Sequence, residues 1–271
     1  MSSKGVIIIT GASGGVGAAV TEELARRGES VVMACRNCGK AAAVREKIIA
    51  RVPGASIDIE ELHLDSFASV RSFAARMQER DIKALFNNAG VISRGYRLCE
   101  DGYEESLTVN FLSPYLLTRL LLPQLETDGR VVNMVSLTCN LVKIDEGIFE
   151  HGKHEFSQLG TYSRSKLALL LFSLELARRS QVSVNLADPG IVDSGIISLG
   201  RWFDPLADVF FRPLCKTPAQ GAVPAVNALM SQENGRLFKG SGHEEIRKRF
   251  IKEQDLALHL WEKAEKIVQI L

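Results

Sequence analysis

The apolar run Gly5-Val-Ile-Ile-Ile-Thr10 leads directly into Gly11-Ala-Ser-Gly14-Gly15-Val-Gly17, and an amphipathic stretch follows. The run is β-branched and unbroken, the pattern of a buried strand in a parallel sheet. Beyond the glycines, apolar Ala18, Val20, Leu24 and Ala25 are interleaved with charges as far as Arg27, and Gly28 stops the helix. Strand, glycine turn and helix in this order predict a dinucleotide site. The glycines let the backbone approach a pyrophosphate, and the helix N-terminus offers N–H donors and a positive dipole end. No Gly-Lys-Ser/Thr closes the loop, so a P-loop is excluded.

Ser30-Val-Val-Met-Ala-Cys35 reads as the second strand. At its end an acidic residue would bond a ribose 2′-hydroxyl, whereas an arginine accommodates a 2′-phosphate. Here Arg36 and Asn37 follow, with no acid. A guanidinium offers a planar fork to phosphate. NADP(H) is therefore expected over NAD(H). Gly14 occupies a position where a second basic residue would strengthen that preference.

Tyr162 and Lys166 are four residues apart. On a helix they share a face. A neighbouring cation favours a phenolate and brings a tyrosine into range for general acid–base work. Ser136, upstream, is suited to hold a carbonyl or alcohol oxygen. On its own the pair is equally an exposed tyrosine and a solvated lysine; the glycine loop gives it context.

With these motifs in place, the chain resembles the short-chain dehydrogenase/reductase family over nearly its whole length. The resemblance implies an α/β fold: a Rossmann-type doubly wound parallel sheet with helices on both faces, in one domain spanning 1–271. It implies cofactor contacts from Gly11, Ser13, Gly15, Val16 and Gly17 of the loop, and from Arg36, Asn37 and Asp65. Asn88, Ala89 and Gly90 of Asn87-Asn88-Ala89-Gly90 belong to the same set, as do Pro189, Gly190, Val192 and Ser194 beyond the strand Val182–Ala187. By the same resemblance, Asn110, Ser136, Tyr162 and Lys166 are the catalytic residues. Tyr162 exchanges a proton with the substrate oxygen. Lys166 lowers the tyrosine's pKa and bonds the nicotinamide ribose. Ser136 orients the carbonyl, and Asn110 anchors a water.

A narrower similarity, to the retinol-dehydrogenase and protochlorophyllide-reductase-like group, rests on three features. They are Ala34-Cys35-Arg36-Asn37, the long interval from Ser136 to Tyr162, and the ending Leu260-Trp261-Glu262. That group often takes lipophilic substrates. Ser194–Leu214 is rich in Ile, Leu, Phe and Trp. A substrate lid over about 193–234 and ordinary helix packing explain it equally well. The family also implies a homodimer or homotetramer through Phe111–Leu125 and Thr161–Arg179.

Because Gly14 is also glycine, the loop fits Thr-Gly-x-x-Gly-x-x-Gly, the form of a longer, sugar-nucleotide-modifying branch. An epimerase or dehydratase is one alternative, and a non-catalytic NADP(H)-sensing protein of the same fold is another. Length, the Asn-Asn-Ala-Gly motif and all four catalytic candidates favour a carbonyl/alcohol oxidoreductase with a small-molecule substrate.

A formal charge of +1 over 271 residues gives no argument for nucleic acid. No run reaches the ~18 apolar residues of a transmembrane anchor, and no signal peptide is visible. A cytoplasmic chain with reduced thiols is expected. Cys35-x-x-Cys38 and His151-x-x-His154 have no obvious partners, so no metal site is expected.

Overall fold

The computed structural model describes residues 5–192, 215–246 and 248–269. They form an eight-stranded sheet in the order β3-β2-β1-β4-β5-β6-β7-β8. The strands are β1 Val6–Thr10, β2 Ser30–Cys35, β3 Ile57–Glu61, β4 Ile82–Asn87, β5 Leu125–Met134, β6 Ser183–Asp188, β7 Leu237–Lys239 and β8 Gly242–Glu244. Pairing is parallel from β3 to β7; β8 turns back against β7 in an antiparallel hairpin. The order reverses between β1 and β4, so a crevice opens at the C-terminal strand ends, the usual ligand position of such sheets.

The long helices are α1 Gly15–Arg26, α2 Cys38–Arg51, α3 Phe67–Arg76, α4 Ser113–Leu121, α5 Gln158–Arg179, α6 Pro218–Met230 and α7 Gln254–Ile267. They cover both faces. Side chains alternate along each strand, so Ile8, Leu85, Val131, Val184 and Leu186 meet α3, α4, α5 and α7, while Ile7, Ile9, Phe86, Val132 and Ala187 meet α1, α2 and α6.

Two sequence expectations touch elements described here. The first is the lid over about 193–234, whose described part includes α6, with Ala222, Ala225, Val226 and Leu229 buried against α1 and the sheet. A capping box formed by Thr217 and Gln220 starts it. Residues 193–214, with Ser194, lie outside the described residues.

The second concerns the faces expected to pair between subunits. The C-terminal helix α7 packs along α5 in the same chain. Trp261 meets Tyr115 edge-on at 5.3 Å between ring centroids and Phe172 at 5.6 Å. Arg119 and Arg179 stand over the Trp261 ring at 4.6 and 5.0 Å, and Arg119 also pairs with Glu265 at 2.8 Å. Aromatic stacking and cation–π contacts of this kind each contribute about 0.5–1.5 kcal/mol beyond burial.

Candidate active site

The glycine loop is shaped by close approach. Gly11 has φ +66° and a side chain there would stand 3.0 Å from Ala89; one on Gly17 would collide with Asn88 Nδ2 and the Gly11 carbonyl at 2.6 Å. Asn88 staples the loop to β4, donating Nδ2 to the Thr10 carbonyl at 2.8 Å and to the Gly11 carbonyl at 3.3 Å. Thr10 Oγ1 accepts from the backbone N–H of both Asn88 and Ala89 at 3.0 Å. The Asn-Asn-Ala-Gly motif therefore braces the loop. Gly14, the N-cap of α1, provides no side-chain cap. The first N–H groups of that helix are left for an anion.

At the end of β2, Arg36 is exposed and has no hydrogen-bond or ion-pair partner among the described residues. Asn37 serves the helix instead, because its side chain accepts from Lys40 N at 2.8 Å and caps α2. That cap brings in a residue sequence reasoning missed. A side chain on Gly14 would stand 3.8 Å from Lys40 Nζ. Lys40 thus supplies, from the first turn of α2, a cation beside the loop. The signal was present as Arg36-x-x-x-Lys40, one helical turn beyond the strand end. Asp65 lies past β3, 4.0 Å from His63 Nδ1. With His63, Ser66 and Arg97 it lines a surface cavity of 410 Å³.

Asn110 sits in a π-helical turn, Thr108–Leu112, between a short helical turn and α4. Such insertions are frequent at functional positions. The turn directs a fully buried amide at the chain beyond β4. Asn110 Oδ1 accepts from Val91 N at 2.8 Å, and Nδ2 donates to the Val91 carbonyl at 2.9 Å and to Ser165 Oγ at 3.0 Å. Ser165 Oγ in turn donates to the Tyr162 carbonyl at 2.7 Å. A side chain on Gly90 would stand 3.3 Å from both Asn110 Oδ1 and Lys166 Nζ, so the two groups converge there.

Ser136, just past β5, caps a short turn. Its Oγ accepts from Thr138 N at 3.3 Å and from Thr138 Oγ1 at 3.1 Å. With two acceptances used, its own O–H is free to donate. Burial raises the Tyr162 phenol above its ordinary value; Ser136 favours the phenolate, and Cys139 and Asp188 add to the rise. Tyr162 is pushed up to about 12. Lys166 is 2 % exposed. Its Nζ donates to the Met134 carbonyl at 2.8 Å, and burial lowers it to about 8. The expected lowering of the tyrosine by the lysine is therefore not realised here. Lys166 is buried and Tyr162 half-buried, loss of solvent favours the neutral form of each, and the lysine Nζ is committed to a carbonyl.

Pro189 and Gly190 follow β6, and Val192 bridges to Lys216. Cys35 is buried and Cys38 exposed. Among the described residues no group of three or more His, Cys, Asp or Glu is gathered for a metal. No helix among them is long and apolar enough to cross a membrane.

A doubly wound sheet with a braced glycine loop at its switch point defines a Rossmann-type dinucleotide fold. The chain matches the short chain dehydrogenase family over residues 5–199 and belongs to it. Within the family it falls in the retinol dehydrogenase-like group. It is 36% identical to mouse (Mus musculus) polyprenol dehydrogenase, with 94% of this chain and 81% of that protein covered. It is 34% identical to mouse retinol dehydrogenase 14, over 98% and 86% of the two chains. An uncharacterised protein from Mycobacterium Paratuberculosis superposes with a TM-score of 0.78 at 29% identity, covering 98% of this chain and 94% of its own. A short-chain dehydrogenase from Sphingobium yanoikuyae, solved in complex with NADPH, has a TM-score of 0.67 at 23% identity, covering 86% and 87%.

Proposed function

We propose that this chain is an NADP(H)-dependent oxidoreductase interconverting a lipophilic carbonyl and its alcohol, with Tyr162 as the acid/base. The observation that carries the reading is the convergence of Asn110 Oδ1 and Lys166 Nζ at Gly90, with Lys166 also bonded to the Met134 carbonyl two residues before Ser136. The residues fit a nicotinamide dinucleotide. The bare start of α1 and the glycine loop would hold a pyrophosphate, and Gly90, Pro189, Gly190 and Val192 would flank the nicotinamide end. Asp65 would face the adenine. When bound, the cofactor supplies or accepts the hydride.

The protein's own part is proton and charge management. Ser136 holds the substrate oxygen by its free O–H. Tyr162, a neutral phenol in this site, gives its proton to that oxygen during reduction. Lys166 and the Asn110–Ser165 bridge fix the helix carrying the tyrosine, and Lys166 Nζ would exchange Met134 for a ribose hydroxyl. Arg36 and Lys40 together favour a 2′-phosphate: two cations meet that group, and no acid stands at the end of β2. The lipophilic substrate class is supported by the relatives, named for polyprenol and retinol, both long apolar alcohols. Because α7 already covers the outer face of α4 and α5, pairing of two chains through that face would require α7 to leave. A monomer follows.

The test uses the purified chain with each cofactor and a panel of retinoid, polyprenoid, steroid and small polar substrates. Thermal stabilisation by NADPH exceeding that by NADH, with carbonyl-dependent NADPH oxidation on the apolar substrates, is the expected result. Tyr162→Phe should retain NADPH binding and lose turnover. Turnover confined to small hydrophilic sugars would overturn the substrate class, and normal turnover in Tyr162→Phe would remove the tyrosine from the mechanism.

A further inference from the structure

The stripe of α5 that carries Tyr162 and Lys166 holds one more polar side chain, deep in the apolar half of the helix. Tyr162, Lys166 and Ser173 stand at i, i+4 and i+11. At 3.6 residues per turn all three lie within about 40° of one another around the axis. Leu169, Leu170, Leu171 and Phe172 precede Ser173 and are buried, and Ser173 itself is 2 % exposed.

Its hydroxyl is fully engaged. Ser173 Oγ accepts from Asn133 Nδ2 at 2.7 Å and donates to the Leu169 carbonyl at 2.6 Å. Asn133, on β5, is fully buried, and its Oδ1 accepts from Asn87 Nδ2 at 2.8 Å. The two asparagines are register partners across β4 and β5. Asn87 Nδ2 also donates to Thr118 Oγ1 of α4 at 3.0 Å. One chain of hydrogen bonds therefore starts beside Asn88, which braces the glycine loop. It passes beside Met134, whose carbonyl takes Lys166 Nζ, and ends on the helix of Tyr162.

Apolar side chains tolerate a helix that slides along a sheet, because burial has no direction. A buried amide and hydroxyl do not. A slide of one residue, about 1.5 Å, would leave both unpaired in apolar surroundings. A single buried asparagine sets register in coiled coils for this reason. Among the described residues, α5 and β5 share two hydrogen bonds: Lys166 to the Met134 carbonyl and Asn133 to Ser173. On the reading above, the cofactor takes Lys166 from Met134. The Asn133–Ser173 bond then holds the helix at its height.

We propose that Ser173, held by Asn133, is a positioning residue: it fixes the height of α5 on the sheet and so sets Tyr162 and Lys166 against the reacting atoms. This rests on the reading of Tyr162 as the acid/base. A misplacement of about 1 Å can cost a reaction about 100-fold.

The experiment compares Ser173→Ala with Thr118→Val in the full chain. Thr118→Val removes a buried bond of the same chain but leaves the bond to α5 intact. Ser173→Ala should lower kcat about 10–100-fold and leave KM for the carbonyl within about threefold. Thr118→Val should keep kcat within about threefold at a similar loss of melting temperature. Ser173→Cys, close in size with a weaker acceptor, should fall between the unaltered chain and Ser173→Ala, and it replaces the alanine variant if that does not fold. Hydrogen exchange over residues 162–170 is followed in the same variants, with and without NADPH, and needs no substrate. It should quicken in Ser173→Ala and not in Thr118→Val. An unchanged kcat in Ser173→Ala, or an equal fall in Thr118→Val, overturns the proposal. If even the unaltered chain turns over no substrate, exchange decides. Quickening confined to Ser173→Ala would uphold the positioning and defeat the acid/base reading; equal exchange in the two variants would overturn the positioning.

Discussion

Asn110 is joined to Ser165 by a hydrogen bond of 3.0 Å from Nδ2 to Oγ, and the same amide clamps both backbone groups of Val91. One side chain thus connects the π-turn before α4, the segment after β4 and the helix bearing Tyr162. Asn110→Ala would strand the buried partners. A loss of about 2–4 kcal/mol in denaturant unfolding is expected. Ser165→Ala leaves Asn110 its two bonds to Val91 and should cost about 1 kcal/mol. Equal losses in the two variants would show that the bridge to Ser165, not the clamp on Val91, carries the stability.

Lys166 gives the cofactor-free protein a pH signature. Its pKa falls from 10.5 to about 8 on folding, through burial. Between these values the unfolded chain binds a proton that the folded chain does not, so stability rises with pH across that window. The gain is at most roughly 3 kcal/mol. Tyr162, raised from 10 to about 12, has the opposite sign, and stability falls as pH passes through that range. The Cys35, Cys99 and Cys139 thiols, each raised from 9.0 by burial, share that sign, so melting temperature should climb from about pH 8 to 9 and turn over above it. Lys166→Met should abolish the climb and keep the fall. A climb of the same size in Lys166→Met would place its origin elsewhere.

Much of this was legible from spacing alone. The apolar runs located β1, β2 and β6 to within a residue, because unbroken β-branched runs admit little else. Strand β3 is shorter than its apolar pattern: Leu62 and Leu64 remain buried after pairing ends at Glu61. Strand β5 begins at Leu125, where the apolar pattern is weak. Lys40 and α7 were missed for a shared reason. Each depends on a contact between distant segments, and a lysine or an amphipathic helix carries no mark of what it will face. The state of Tyr162 was missed for another: spacing places two groups on one face, but burial decides which proton each keeps.

Arg36 and Lys40 predict a graded cofactor preference. Arg36→Ala should raise the Kd for NADPH by about 10–100-fold, as expected for a lost charge-assisted phosphate contact of about 1.5–3 kcal/mol. NADH binding should be nearly unchanged. Lys40→Ala should have a smaller effect of the same kind, and the NADPH effect should weaken with added salt. Calorimetric titration of both cofactors checks this. Equal losses for NADH and NADPH in Arg36→Ala would move the arginine's role from the 2′-phosphate to the adenine or the fold.

Trp261 predicts both stability and assembly. It lies in a cage of Tyr115, Phe172, Arg119 and Arg179, and its carbonyl accepts from Tyr115 Oη at 3.3 Å. Removing a buried indole costs about 3–5 kcal/mol, so Trp261→Ala should lower the unfolding midpoint sharply. The same change loosens α7 from α5 and exposes Tyr115 and Phe172 as an apolar patch, which favours association. Light scattering after size exclusion should find the unaltered chain as a monomer and Trp261→Ala shifted towards dimers or larger species. An unaltered chain that elutes as a dimer and stays one in Trp261→Ala would mean that the subunits meet through a different face, leaving α7 a purely structural cover.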